Sequence, residues 1–464
     1  MQVDLLYGSG TLAASLDDGT RVVPAATPLP APADIAAAVR DAIGDLRGRV
    51  GPGARVTVAF DDPAVFTMME PDPRTVAIPA ILATLGDAGV AMRDVTLLCA
   101  NALHCRWTRR ELGTILGAPF EHFWPLHRLV CHDAEDRDAL VYLGETERGL
   151  EVEVNRAVLD SDFFVYLSIP LTPFNGGWKS VGVGLSSFRS IRHHHRPFPS
   201  SGQSIMDARK SAFPKLLREI GRVIAARLAV DGKSILQVEL VLSNTTPRGV
   251  AGVFAGDTDD AHARALELLR RQMVVEVDGQ TDALVIGLPD IDPYSRFTVP
   301  NPLLLTNLGC AYTFGLYEER PLVREGGFLV LATPMEPRFD DLRHPSYREF
   351  FTRVLAYTRD PFEAWELFAD DFANRREYLH AYRFGHGFHG AHPFFMWNST
   401  LFPRRHLGGI FVAGARDPDV VRHLGFEPFP SVEAALSAAG ARLGRAPSVT
   451  VLPLEPLRIA RVRT

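Results

Sequence analysis

The sequence predicts an α/β protein built as two α/β domains with mainly parallel sheets and an active-site cleft between them. Three observations predict it. Short apolar, β-branched runs alternate with segments of helical spacing, in two separate series. A chain of 464 residues is too long for one core. Between the two series lies a long helical stretch, residues 203–231 and 258–272. The boundary falls near residue 275, giving an N-terminal domain over 1–275 and a C-terminal domain over 276–464.

In chain order, the Pro/Ala-rich stretch 24–38 reads as a linker-like surface segment. "ARVTVAFDD" (54–62) reads as a buried strand ending in two acids. "VAIPAILATLGDAG" (76–89) has helical spacing and a glycine stop, and "DVTLLCAN" (94–101) is the next strand. A helix opens at Thr108, and Glu111 three residues on gives the spacing of a capping box. Alternating strands and helices imply a parallel sheet, so chemistry is expected just past the carboxyl ends of the strands. Asp61, Asp62 and His104 all fall there. "DFFVYLSIP" (162–170) is a further apolar strand. The second series runs through "ALVIGLPD" (283–290), "GGFLVLATP" (326–334) and "GGIFVAGARDPDVVRHLGF" (408–426), with a helix at "SVEAALSAAGARLG" (431–444). The final "SVTVLPLEPLRIARVRT" reads as one more strand and a tail.

Composition narrows the class. With 46% hydrophobic and 22% charged residues the chain is globular, neither fibrous nor disordered. A net charge of −6 gives no argument for nucleic acid or an anionic membrane as partner. Cys99, Cys105, Cys131 and Cys310 form no CxxC pair and read as reduced thiols of a cytosolic protein. The opening "MQVDLLYGSG" lacks the features of a signal peptide, and no apolar run approaches the roughly 20 residues of a membrane span. A cytoplasmic location is expected.

Four segments carry candidate chemistry, each with a plainer alternative. "FNGGWKS" (174–180) follows a strand, so Gly176 and Gly177 could let backbone amides approach an anion beside Lys179, or could form only a turn. It is not a P-loop, because the glycines are adjacent. In "RHHHRP" (192–197), neighbouring histidines cannot all point one way, so at most one or two serve one metal ion. The alternative is a solvated or hydrogen-bonded cluster. In "CANALHCRW" (99–107), His104 is placed as a general base or as a half-buried loop histidine, and Arg106 holds an anion or is solvated. In "FGHGFHGAHPFFMW" (384–397), His386, His389 and His392 recur every three residues, lining the cleft or packing a helix start.

Taken in order, these segments resemble the nickel-dependent lactate racemase family. The likeness runs through "LLYGSG", "AFDD", "ANALH" with "TRRELG" close behind, "CHDAEDRDALVYLGET", and "GGWKS" with His195 sixteen residues after Lys179. It continues in "VREGGFLVLA", "GFHGAH" and "LGFEPFPSVEAAL". The resemblance implies a nickel-pincer nucleotide, a pyridinium mononucleotide (pyridinium-3,5-bisthiocarboxylic acid mononucleotide) whose two sulfurs and one ring carbon bind Ni(II), with one protein histidine completing the plane. By position that ligand is His195. Lys179 carries the cofactor through a thioamide link, and small-residue loops that include Asn101, Ala102, Gly176 and Gly177 hold its phosphate. His104 takes the substrate hydroxyl proton while hydride passes to the cofactor and returns on either face of a keto intermediate. Catalysis is thus assigned to His104 and Lys179, with other proteins supplying the cofactor.

The sequence departs from the family at the substrate. A second histidine is expected ten residues before the lysine, where Ile169 stands. The family's "D.TRP.P" element is replaced by "DDPAVFTMMEPDPR", leaving Arg74 as a loose candidate for its arginine. Tyr294 and Arg296 are the nearest approximations to the carboxylate-holding set of the second domain. Candidate substrate contacts are therefore Asp62, Arg74, Arg106, Tyr294, Arg296, His389 and Trp397. His386, His389, His392 or a tyrosine could replace the absent base. The resemblance implies a racemase or epimerase of a small-molecule 2-hydroxy acid or sugar/polyol acid. The alternatives are a catalytically inactive binder of the cofactor and a metal-dependent hydrolase or lyase using Zn²⁺ at 193–195. The sequence carries no sign of an oligomeric state.

Overall fold

A computed structural model describes residues 1–464 except 26, 66, 198–202, 245–247, 455–456 and 464. Two six-stranded sheets organise it. The first runs, edge to edge, through Val250–Gly256, Ile235–Leu242, Phe163–Ser168, Val56–Asp61, Val95–Ala100 and Leu129–Cys131. Only its first pair is antiparallel. The second runs through Glu427–Phe429, Gly409–Ala413, Val323–Ala332, Thr281–Gly287, Val449–Val451 and Arg21–Val22, all parallel. Both are mostly apolar, because helices cover a parallel sheet on both faces.

Strand order places the site. From Val56–Asp61 the chain moves outward through Val95–Ala100 and Leu129–Cys131, then returns to lay Phe163–Ser168 on the other flank. That reversal opens a crevice between the ends of Val56–Asp61 and Phe163–Ser168, where open α/β sheets bind ligands. The second sheet reverses in the same way between Thr281–Gly287 and Val449–Val451. Asp61 ends one strand, and Ile169 directly follows another; the Ile169 amide donates to the Asp61 carboxylate at 2.8 Å.

Local signals explain the helix ends. Thr108 and Glu111 form the expected capping box at the start of Arg109–Leu116. Ser431 caps Val432–Leu443, and Gly444 closes it in the left-handed conformation, with φ 68°. The long helix begins at Phe213 rather than near 203, because Pro214 suits only the first turn of a helix. Asp34 caps Ile35–Ile43, so the last part of the Pro/Ala stretch is already helical. The terminal segment forms two strands, Val449–Val451 and Ile459–Arg463.

The first residues of the chain lie against the second sheet. Arg21–Val22 is its edge strand, and Leu5 and Ala14 from the hairpin Gln2–Tyr7/Gly10–Ser15, with Leu16 just after it, pack with Ala283, Val285, Phe328 and Val330. All four cysteines are unpaired. Among the described residues no helix is long and apolar enough to cross a membrane.

Candidate active site

A cavity of about 500 Å³ opens at the strand ends of both sheets. It lies within the roughly 300–1,000 Å³ typical of small-molecule sites. From the first sheet and its loops come Asp61, Asp62, Ala102, His104, Tyr166, Gly176, Lys179 and His195. From the second half of the chain come Tyr294, Asn307, Tyr312, His392, Phe395 and Met396.

Lys179 lies in the short helix Trp178–Gly182 that follows the glycine turn. Its Nζ sits 4.6 Å from the centroid of the Phe174 ring and makes no ion pair among the described residues. Burial lowers its pKa from 10.5 to about 8, with the Asp61 charge acting in the opposite sense. Asp61 itself, half-buried and hydrogen-bonded by the Ile169 amide and the Tyr166 phenol, is pushed up to about 7, chiefly by desolvation. A lysine so placed is a nucleophile near neutral pH. In the cofactor-free protein, an amine-selective reagent should therefore modify Lys179 with a midpoint near 8, read by mass spectrometry across pH; a midpoint at the ordinary 10.5 would contradict this environment. The unfolded chain holds this proton up to about 10.5 and the folded chain only to about 8. The Lys179 contribution to stability therefore rises with pH between those values.

The glycine turn owes its composition to packing. Gly176 and Gly177 have φ of 85° and 55°, and a Cβ on either would approach within 2.6 Å of Glu239 Oε1 or His262 Cδ2, respectively. The Gly177 amide donates to Glu239 at 2.7 Å, so it is not free for a phosphate. Gly176 lines the cavity; Gly177 and Asn101 do not.

The three histidines of the helix Phe188–His195 diverge. His193 turns to Glu151 at 3.0 Å, and His194 is fully buried. Only His195 faces the cavity. Its ring lies between Phe213 and Phe395, and its Nδ1 is 2.7 Å from that of His194. Desolvation, with His194 and Lys179 nearby, holds its pKa well below the usual histidine range. The ring is neutral, as a metal ligand must be.

His104 is fixed by its neighbours. Its Nδ1 lies 2.9 Å from Asp62 Oδ2, which also accepts from Trp107 Nε1 at 2.8 Å. A carboxylate can only accept here, so the imidazole carries its proton on Nδ1 and offers the Nε2 lone pair. This is the base-and-orienter arrangement of general base catalysis.

Other sequence candidates lie elsewhere. Arg74 is fully buried and donates to Asp72 and to the carbonyls of Asp61, Asp62 and Val65, so it shapes the loop after the first strand rather than facing the cavity. Arg296 pairs with Glu70, and Arg106 is exposed; neither lines the cavity. His389 is buried against Glu135, and Trp397 donates to the Arg359 carbonyl. His386 is half-buried and bonds the Arg106 carbonyl. Of that histidine series only His392 reaches the cavity. Tyr166 and Tyr312 escaped sequence reading, since a tyrosine in an apolar run or a helix carries no local signal of function.

An α/β crevice at facing strand ends, holding groups whose ionisation burial has shifted, is the site of an enzyme acting on small molecules. Residues 7–206 match the family described as the lactate racemase N-terminal domain. The chain carries this domain over those residues. It is 24% identical over 391 residues to the lactate racemase of Lactiplantibacillus plantarum, covering 82% of this chain and 80% of that protein. Its fold is similar to that of the lactate racemase apoprotein from Thermoanaerobacterium thermosaccharolyticum, with a TM-score of 0.66 at 16% identity over 99% of this chain and 100% of that one. A Thermotoga maritima protein of solved structure aligns with a TM-score of 0.56 at 15% identity, over 92% of this chain and 97% of that one.

Proposed function

We propose that this chain is an isomerase, a racemase or epimerase of a 2-hydroxy acid or sugar acid that works with a nickel-pincer nucleotide. The observation that carries the reading is one cavity in which a half-buried amine of lowered pKa, a neutral histidine and an aspartate-oriented histidine converge.

The residues present fit such a group. Among the described residues no three His, Cys, Asp or Glu side chains converge as a metal site; His193 turns to Glu151, and His194 lies against His195 without lining the cavity. A zinc site built from the triplet therefore has no geometry behind it. A metal bound here would take one protein ligand and draw the rest from a carrier. Ser180 Oγ, on the cavity wall, is buried without a hydrogen-bond partner among the described residues. Lys179 would anchor the group, Ser180 would meet one of its polar atoms, and His195 would ligate its nickel. When bound, the cofactor supplies a hydride acceptor beside a Lewis-acidic metal.

The chain's own residues handle the substrate. His104 Nε2 takes the hydroxyl proton, and Asp62 stabilises the imidazolium that results. Phe213 and Phe395 keep water from the His195 side of the cavity. Tyr294, Tyr312 and Asn307 line the wall, Tyr294 being 5.6 Å from His104 between ring centroids. Arg74 and Arg296 are committed to Asp72 and Glu70, so this wall presents hydroxyl and amide groups. It suits a substrate with further hydroxyls, such as a sugar acid, better than bare lactate. Cofactor-loaded protein incubated with single-enantiomer 2-hydroxy acids and sugar acids should invert at least one of them, read by chiral chromatography. Nickel-loaded protein inert across the panel would refute the reading.

A further inference from the structure

A second imidazole faces the part of the cavity that His104 faces. His392 opens the helix His392–Asn398 and is 3% exposed. Its ring centroid lies 5.5 Å from that of His104, at 80° to it, and 5.1 Å from that of Tyr294. Its Nδ1 is 2.6 Å from the phenol oxygen of Tyr347, while its Nε2 makes no hydrogen bond among the described residues.

The two rings are pinned alike at Nδ1 but by partners of opposite character. Asp62 only accepts, so His104 carries its proton on Nδ1 and shows the cavity a lone pair. Tyr347 is fully buried, and among the described residues His392 Nδ1 is the one hydrogen-bond partner of its phenol. A buried hydroxyl must place its proton somewhere, so Tyr347 donates. That leaves the His392 proton on Nε2. The cavity thus presents one nitrogen lone pair and one N–H, on adjacent rings from the two halves of the chain.

We propose that His104 and His392 clamp the oxygen of the reacting carbon, His104 as base and His392 as a fixed hydrogen-bond donor, so that inversion needs one base only. The inference rests on the racemase reading above. In the forward step the O–H bond breaks and its proton passes to His104 Nε2. A bound cofactor would accept the α-hydrogen together with both electrons of its C–H bond, and the C–O bond would become a carbonyl. His392 keeps its proton and donates to the oxygen throughout. With the oxygen held at one place, the planar intermediate turns about its C=O axis and offers its opposite face. The hydride returns to carbon, and His104 returns the proton to oxygen. Ile169, where the resemblance places a second base, is then no defect: its side chain is fully buried and its amide is bound to Asp61.

The test uses His392→Phe, which removes the donor, and His392→Gln, which keeps an N–H. Single-turnover rates are measured on cofactor-loaded protein from each enantiomer of the substrate found by the panel. The Phe variant should lose about 10²–10³-fold, the effect of removing one oxyanion donor, and lose it equally from both enantiomers. The Gln variant should remain within about tenfold of wild type. Nitrogen NMR of the cofactor-free protein, assigned with the same variants, should show His392 protonated at Nε2 and His104 at Nδ1. A loss confined to one enantiomer would mean that His392 is a second base, and would overturn the clamp. So would a Gln variant as slow as Phe, or a His392 proton at Nδ1. If nickel-loaded wild type inverts no substrate, the racemase reading falls and the clamp with it; if wild type inverts and the variants misbehave, only the clamp falls.

Discussion

Changing His195 to alanine is expected to strip nickel from the loaded protein while leaving the chain folded. His195 is the last residue of its helix, and its side chain meets Phe213, Phe395 and His194. Losing those ring contacts costs on the order of 1 kcal/mol, too little to unfold a domain. Losing the proposed nickel ligand is far more severe. Even partners behind a ligand change metal affinity by about 10–100-fold, so nickel per chain should fall at least about tenfold. Lys179 lies on another helix, Trp178–Gly182, and should still carry the nucleotide, seen as an unchanged mass adduct in the His195→Ala protein. Lys179→Ala should show the converse, with no adduct. Wild-type nickel content in the histidine variant would remove His195 from the ligand role.

The second large effect belongs to His104. His104→Ala should retain nickel and the adduct and lose about 10²–10⁴-fold in turnover, the range contributed by a positioned general base. Asp62→Asn separates orientation from charge. An amide oxygen at the position of Oδ2 can still accept from both His104 and Trp107, so the ring stays in place. What disappears is the negative charge opposite the imidazolium. The Asn variant should therefore be slower than wild type and faster than His104→Ala, with nickel unchanged. Activity that survives in His104→Ala would mean that another group is the base.

Much of this was legible in the sequence, and for physical reasons. Apolar β-branched runs such as Val56–Asp61 and Val95–Ala100 have few ways to bury both faces other than in a parallel sheet. Thr108 with Glu111, and Ser431 with Gly444, mark helix ends because unsatisfied backbone groups need partners at those points. Lys179, His195 and His104 could be singled out because they follow strand ends or stand in a characteristic order. Features fixed by contacts remote in sequence were not legible. Arg21–Val22 joins the second sheet through two residues, too few for any periodic signal. Nothing in the sequence near Arg74 marks that Asp72 and the carbonyls of Asp61, Asp62 and Val65 take up its guanidinium. Gly177 needs its left-handed backbone because His262 packs against it, more than eighty positions away in the chain. His386, His389 and His392 share one spacing, yet the turn that carries them sends one to the Arg106 carbonyl, one to Glu135 and one to the cavity.

The central claim is that the α-hydrogen is removed and returned within one closed site, and α-deuterium tests it most directly. Cofactor-loaded protein is given one enantiomer of its hydroxy acid, deuterated at the reacting carbon, in ordinary water. Mass spectrometry of the inverted product should find the deuterium retained at that carbon. Inverted product that has exchanged its deuterium for solvent hydrogen would show that the hydrogen leaves as a proton, and would contradict the account.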